Sequence, residues 1–480
     1  MKDTYFSDRC LNVFVLIFVI LNPIISQDTH YWSQQYGTKS ALLCGAVIGG
    51  VRDNSGIYYN PGSIGFIQNK DLNISANAYQ WDLLKIKNGA GDNLDLNSST
   101  LQMMPLIISG IFKLNKYPKH TLGYCLLTKD QFSLRTTGRV DDYRNLINDK
   151  YSPGDEDYVG QFSLKSSVYE VLCGWAYGYK VSDKISIGLG NYGSYRSYHS
   201  DWYRVSRIVP TDTSLHTIST FNRAYSMEIK NVRTVFKVGV SVDLKKWKFG
   251  ATITSPSINI WGKGSILSDV TASNIDYNND GKFISFTNND RQDQLKTTYK
   301  TPTILGFGFE YDNGKTLIAF SGEWYDKVDK YSILSPSDNA YLRPANIKLN
   351  TADKELEITE EKKSVFNFAI GFAQKLNEKY TLSGGFRTDY SYSKMIQLAP
   401  VNLTYTNWDI YHFTLGVTKK REKSDLSICL KYAYGQKNDI YQFVNLTNVS
   451  SSNYFVGEPQ KASVIYNSFS VVIGYTRFGK

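Results

Sequence analysis

From about residue 70 onward, apolar and polar residues alternate with a period of two, the mark of strands with two unlike faces. Phe236, Val238, Val240 and Val242 alternate with Lys237, Gly239, Ser241 and Asp243. After a turn at Leu244-Lys245, Trp247, Phe249, Ala251 and Ile253 alternate with Lys248, Gly250, Thr252 and Thr254. Leu305, Phe307, Phe309 and Tyr311 keep the same beat up to Asp312-Asn313-Gly314, a strong hairpin signal, which leads into Ile318, Phe320 and Trp324. It returns at Phe366–Phe372, Tyr411–Val417, Leu426–Tyr434 and Phe469–Tyr475.

The pattern predicts strands at 72–84, 102–114, 119–137, 161–180, 184–204, 222–243, 246–268, 297–312, 315–331, 363–376, 379–395, 405–420, 423–440 and 461–478. These number fourteen, an even count. Every second connection is short: Asn115–Pro118, Val181–Asp183, Leu244-Lys245, Asn313-Gly314, Leu376–Glu378 and Arg421-Glu422. The others are mostly long and polar: 85–101, 138–160, 205–221, 269–296, 332–362, 396–404 and 441–460. A soluble sandwich also alternates. Short turns on one side and long loops on the other mark an outer-membrane barrel instead, whose closure leaves no strand edge unsatisfied in lipid. The fold class read from the chain is therefore all-β: a transmembrane antiparallel β-barrel of about fourteen strands. The apolar set is expected to face lipid, with Tyr and Trp near both ends. The Gly, Ser, Thr, Lys and Glu set is expected to face the lumen.

The region before the first strand reads differently. Lys2 and Arg9 precede an apolar core from Val13 to Leu21, then Asn22-Pro23 and the small Ser26. This is the build of a secretory signal peptide, with cleavage expected near Ser26–Gln27; the core is too short to span a bilayer. The next informative stretch, Gly45 to Phe66, is small, Gly-rich and non-alternating. Its composition suits a compact plug rather than a wall, with Asn60-Pro61-Gly62 as a turn. The expected division is 1–26 signal peptide, 27–71 plug and 72–480 barrel. Asn60 is expected to hold its turn through neighbouring backbone, with no bond to the wall.

Composition excludes several alternatives. The 480 residues include 36 Tyr, 24 Phe, 8 Trp and 36 Gly, too many aromatics for a disordered chain. A mean hydropathy of −0.33 leaves no room for a helical membrane bundle. The formal charge is +10, and removing Lys2, Asp3, Asp8 and Arg9 would leave it unchanged. The basic residues are spread thinly, the densest run being Lys419–Lys423, so no nucleic-acid partner is expected. Cys44, Cys125, Cys173 and Cys429 follow no disulfide or zinc spacing. Gly188–Gly193 matches a dinucleotide fingerprint by letter, but Ser194–Tyr198 continues as strand where that motif needs a helix. The five histidines form no metal-ligand pair, and there is no G-x-S-x-G elbow. His412 falls on an inward face beside Thr414. No enzyme activity, cofactor or metal is expected.

The segment Asp53, Ser55, Tyr58, Tyr59, Asn60, Pro61 and Gly62 resembles the N-terminal hatch motif of FadL-type outer-membrane transporters. In that family a Gly/Ala-rich stretch leads to Asp, Ser, aromatic residues and Asn-Pro-Ala; Gly62 stands in place of the Ala. The hairpin from Val238 to Pro256 and the run Pro302–Gly308 are similar to that family's mid-barrel segments. The resemblance implies a hatch inside the barrel that gates passive uptake of hydrophobic molecules such as long-chain fatty acids. It also implies a kink in the wall that opens laterally into the outer membrane, for which the Gly-rich strand 184–204 offers flexibility. The implied partners are fatty-acid-like small molecules, outer-membrane lipid and, during biogenesis, the barrel-assembly machinery. PorV-like proteins of the same superfamily instead bind exported proteins in type IX secretion. An apolar pocket in the lumen favours transport, and a protein-sized binding surface on the loops favours secretion.

Overall fold

The computed structural model describes residues 29–67, 72–113, 116–147, 152–212, 218–276, 281–337, 341–343, 356–394, 406–422, 424–453 and 455–477. The expected signal segment and the last three residues lie outside them. Fourteen wall strands run in chain order: β1 (Leu72–Lys87), β2 (Leu96–Lys113), β3 (His120–Arg144), β4 (Glu156–Lys180), β5 (Ile185–Val209), β6 (Ser219–Leu244), β7 (Trp247–Thr254 and Ile258–Ile275), β8 (Ile284–Lys296 and Ile304–Asp312), β9 (Thr316–Tyr325), β10 (Val365–Lys375), β11 (Tyr380–Asp389), β12 (Ile410–Lys420), β13 (Ser424–Tyr441) and β14 (Lys461–Arg477). Each is antiparallel to the next, and β14 returns to pair with β1 from Leu72↔Arg477 to Lys87↔Ser463. The wall is therefore a closed ring, and every expected strand overlaps one of its members.

Two strands are jointed. Pro256, which has no N–H to give a ladder, separates the arms of β7, and both arms stay paired with β6. In β8 the arms are joined by Thr297–Thr303, which carries the buried Tyr299. The expected strand at 297–312 therefore begins its ladder only at Ile304. A separate hairpin, Val328–Leu334 with Ile358–Lys362, replaces part of the long expected loop 332–362.

The outer face explains where the bilayer lies. On β5 the outward residues Ile185, Ile187 and Leu189 are exposed and apolar, and Tyr195 ends the series before Ser197, His199 and Asp201. The run Ile185–Tyr195 matches the roughly 9–11 residues a tilted transmembrane strand needs. Trp247 and Tyr311, with ring centroids 4.8 Å apart, belong to the aromatic belt at the short-turn end; Tyr169 and Tyr195 belong to the belt at the other. Beyond that second belt β3 to β6 continue, and the strands take up about half of the loops expected at 138–160 and 205–221. The two-residue turns are built as the sequence implied, with Lys245 at φ 67° and Gly314 at φ 86°.

Inside, the chain from Thr29 to Ile67 fills the membrane-level half of the ring. It contains the short helices α1 (Thr38–Leu42) and α2 (Gly56–Tyr59) and a 3-10 turn at Pro61–Phe66. Its footprint on the wall is a collar of glycines. A Cβ at Gly178 would meet Ile64 and Gly65; at Gly188, the backbone of Pro61 and Gly62; at Gly250, the Ile48 carbonyl. Gly308, the ladder partner of Gly250, lies against Gly49, and farther round the ring Gly371 lies against Leu43, Gly416 against Leu42 and Gly474 against Thr38. The small inward residues read from the alternation thus let backbone approach backbone.

Candidate functional site

The hatch motif residues divide into three pieces of structure. Asp53 Oδ1 accepts from the Ser55 backbone N–H at 2.8 Å and from its hydroxyl at 2.5 Å, closing a local turn. Gly37, at φ 84°, passes so close to Ser55 that no side chain fits there. Tyr58 and Tyr59 form an aromatic cluster with Tyr36, at centroid distances of 4.8 and 6.2 Å from its ring. Lys237 of β6 reaches 4.8 Å above the Tyr58 ring and donates to the Tyr58 carbonyl at 2.9 Å. The Tyr59 oxygen accepts from Tyr36 N–H and Ser40 Oγ, and burial pushes its hydroxyl pKa up to about 12.

The third piece, Asn60-Pro61-Gly62, corrects one expectation. Asn60 Oδ1 does accept from the Gly62 N–H at 3.0 Å, holding the turn. Its amide also donates to the Ile48 carbonyl at 3.2 Å and to the Val240 carbonyl of β6 at 3.0 Å. The turn is bonded to the wall because Gly188 and Gly239 leave it room to come within reach. Charged ties add to this. Lys39 and Lys248 meet the buried Glu310 at 2.7 and 2.6 Å, and Arg52 reaches Asp243 at 3.4 Å.

Above the hatch lies a charged layer. Glu170 is met by Arg233 at 2.6 Å, Arg196 at 2.9 Å and Lys129 at 3.2 Å, and Arg196 also meets Asp130 at 3.1 Å. Tyr299, brought in by the joint of β8, stacks under Arg196, Arg233 and Lys362 at 4.5, 4.6 and 4.1 Å. His412 sits on its expected inward face, buried, 3.8 Å from Asp389.

Beyond the charged layer the lumen turns apolar, against the expectation of a polar inner face. Phe162, Leu164 and Val168 of β4, Trp202 of β5, and Tyr225, Met227 and Ile229 of β6 point inward into one buried cluster. The inserted hairpin contributes Ile333, Leu334 and Ile358. The loop between β13 and β14 folds over the top, burying Phe443 and Leu446, and Arg204 and Ser206 hold its Phe455 carbonyl at 2.9 and 2.8 Å. The result is an apolar chamber above the bilayer, filled by its own packed side chains, walled by strands and roofed by loops.

Among the described residues, the wall is interrupted between β2 and β3 at the outer edge of the apolar band. Among the described residues, the β2–β3 ladder covers only Ile107–Lys113 with Thr121–Leu127. β3 then carries an extra residue, Lys129, opposite β4, where Thr128 faces Val171 and Asp130 faces Glu170. Such a bulge bends a strand and re-aims its side chains. Farther along, β2 and β3 touch through side chains, with Arg135 N–H donating to Ser98 Oγ at 3.1 Å and Thr100 Oγ1 lying 3.5 Å from the Ser133 carbonyl. Between these limits is a window. It is barred by hydrogen bonds from Gln131 to Gln102 at 2.9 Å and from Gln102 to Asp82 at 3.0 Å. Tyr36 of the hatch donates to the Lys129 carbonyl at 3.1 Å, and burial raises its hydroxyl pKa, so the donor persists. Tyr36, Ser98 and Thr100 thus answer backbone groups that would otherwise be unpaired near lipid. By contrast the Gly-rich strand at 184–204 is paired without a break on both sides from Ser186 onward.

No protein-family model matches the sequence, and neither does any curated protein. Solved structures do match in shape. A FadL homologue of Pseudomonas aeruginosa aligns over 93% of this chain and 99% of its own, at 12% identity and a TM-score of 0.56. The toluene transporter TodX of P. putida aligns over 93% and 99%, at 13% identity and a TM-score of 0.58. The fold is that of the FadL-type outer-membrane transporters. Within that FadL-type fold, the sequence alone pointed to the hatch motif but missed Tyr36, Gln102 and the bulge at Lys129. One signal was present: the polar triplet Lys129-Asp130-Gln131 interrupts an otherwise alternating strand.

Proposed function

We propose that the protein is an outer-membrane conduit for passive uptake of hydrophobic molecules, with the hatch as its gate. The observation that supports this most is the gap in the β2–β3 ladder at the bilayer edge, next to the hatch and below a loop-roofed apolar cluster. A ligand enters the chamber through the loops, where burial gains roughly 0.8 kcal/mol per methylene. It then moves along the charged layer to the window and leaves sideways into lipid once the bar and Tyr36 give way. Long-chain fatty acids are the ligand we favour. Around Glu170, three cations, Lys129, Arg196 and Arg233, face two carboxylates, Glu170 and Asp130, and the surplus positive charge suits an acid. The seven motif residues Asp53 to Gly62 would set the resting shape of the gate. The inward folding of the β13–β14 loop favours this over a secretion-accessory role, which needs that surface free for a protein.

The test is uptake of radiolabelled dodecanoate by cells with and without the protein, normalised to folded barrel. Uptake is expected to be faster with the protein, and faster again with Gln131→Ala, which removes the bar. Equal uptake with and without the protein refutes the reading.

A further inference from the structure

The positive charge of the chain is concentrated at one end of the barrel. The sequence spreads its cations thinly, and the short turns gather them. Six stretches, 113–120, 180–185, 243–247, 312–316, 375–380 and 419–425, are the short turns with their flanking residues. They hold fourteen Lys and Arg against six Asp and Glu, a surplus of eight in a chain whose whole surplus is ten. The other 443 residues are nearly neutral, with forty basic residues against thirty-eight acidic ones.

The fold sets these turns side by side. The Lys119 carbonyl accepts from the Lys180 N–H at 2.9 Å. At 2.8 Å the Lys184 carbonyl accepts from Asp243 N–H, Lys246 from Asp312, Lys315 from Lys375 and Lys379 from Lys420. Each turn is thereby laced to the next, and three of the five bonds join lysine to lysine. Like charges held opposite one another are destabilising unless something answers them. The nearby carboxylates are already engaged: Asp183 meets Lys180 at 2.7 Å, Glu378 meets Lys375 at 3.2 Å, and Asp243 meets Arg52 of the hatch at 3.4 Å. Every turn keeps an exposed cation with no carboxylate among the described residues in ion-pair range, namely Lys116, Lys184, Lys245, Lys315, Lys379 and Arg421. The rim adjoins the aromatic belt. Lys116 and Lys419 lie 5.9 Å from the rings of Tyr117 and Tyr380, and Trp247 follows Lys246 directly. The charges therefore stand at the level of lipid head groups, just beyond the rings that mark the edge of the hydrocarbon.

We propose that this rim is a binding surface for anionic phospholipid: its lysines hold the phosphates of the periplasmic leaflet, which the short turns of an outer-membrane barrel face. The free cations recur in all six turns, and an annulus of small ligands reaches every turn at once, whereas a protein docks on one side. Lipid phosphate also supplies what the rim lacks, an acceptor of negative charge at the same height. The inference does not depend on what the barrel carries.

The experiment is electron spin resonance of the full barrel in phosphatidylcholine vesicles that contain a trace of spin-labelled phosphatidylglycerol or spin-labelled phosphatidylcholine. The motionally restricted fraction of each label gives the preference of the annulus for the anionic lipid. At the rim the preference is expected to be roughly fivefold, as the attraction of one lysine to an anionic head group implies. Lipid at the nearly neutral opposite end dilutes this to about threefold for the whole annulus. Changing the six exposed cations to Gln should lower the preference to below about 1.5-fold, and changing Lys116, Lys184 and Lys245 alone should remove about half of it. Changing the five lysines to Arg and Arg421→Lys should retain it. Each variant is compared as heat-modifiable barrel, and the three-turn variant carries the test if the six-turn variant does not assemble. A preference below about 1.5-fold in the unaltered protein overturns the proposal in favour of a rim that faces water or a protein. A preference that survives the Gln substitutions overturns it too, because the selectivity then arises elsewhere on the wall.

Discussion

Replacing Asn60 with Ala removes three hydrogen bonds from a fully buried position, but they do not all bear on the same event. The bonds to Ile48 and Gly62 lie within the hatch, and only the bond to Val240 crosses to the wall. If the hatch leaves the wall as a folded unit, the substitution weakens docking by one bond, about 1 kcal/mol, plus the cost of a carbonyl left without its partner, about 1 kcal/mol more. If the turn unravels as it leaves, all three bonds and their three stranded partners count and the loss is about 6 kcal/mol. At 1.4 kcal/mol per decade, the population of undocked hatch should rise roughly 30-fold in the first case and over 1,000-fold in the second. Cys44 is a native reporter. It is fully buried in the hatch against Gly385 of β11, and only undocking exposes it. The assay is maleimide labelling of the folded barrel, read at the Cys44 peptide by mass spectrometry, in the limit where labelling is slower than redocking. A rise of less than about threefold, with the barrel still heat-modifiable, would refute the reasoning. It would mean that Asn60 is not what fastens the turn.

Two further outcomes follow from the same contacts. Gly239→Val places two methyl groups where Asn60 and Gly62 now sit, so the barrel should assemble while the hatch is displaced, seen as a larger single-channel conductance in planar bilayers; unchanged conductance would contradict the collar. Glu310→Gln leaves Lys39 and Lys248 facing each other without a countercharge, a change of a few kcal/mol for a buried site; protease cleavage within residues 29–67 should speed up at least tenfold, and unaltered protection would show that the ion pairs contribute little.

How much was legible in the chain depended on what surrounds each stretch. Where one face meets lipid and the other meets the hatch, the contrast is strong. Val238 and Val240 point out, Gly239 and Ser241 point in, and the alternation states both. Past the outer belt both faces leave the bilayer, so the strand ends around Arg139 and Asp141 carry no such contrast and read as loop. The chamber was hidden for a related reason. Phe162, Leu164 and Trp202 are apolar and inward, whereas apolar residues in a membrane strand are expected to face out. The bulge left one trace, the polar triplet Lys129-Asp130-Gln131, but its effect was hidden. Leu122, Tyr124 and Leu126 precede it and Leu134 follows it, all at even positions, so the pattern keeps its phase on either side of the triplet. Yet the first three face lipid and Leu134 faces the lumen, because one extra residue at Lys129 reverses the faces. The hatch motif could be recognised, but what it touches could not, because its partners come from strands throughout the wall.

On the proposed route the chamber stands above the bilayer and the gap in the β2–β3 ladder lies at the bilayer's edge, and this separation in height would have a thermodynamic consequence for a long-tailed cargo. Each methylene leaves water when the tail enters the chamber, at roughly 0.8 kcal/mol, and none returns to water when the tail passes into lipid. Chain length therefore governs how avidly a molecule is drawn from the aqueous phase, but it largely cancels between the protein and the membrane. The step from protein to membrane is left to the few polar contacts on the way. Lengthening a cargo should sharpen its capture without trapping it, whereas one additional hydrogen bond at the head would slow its departure about tenfold for each 1.4 kcal/mol gained.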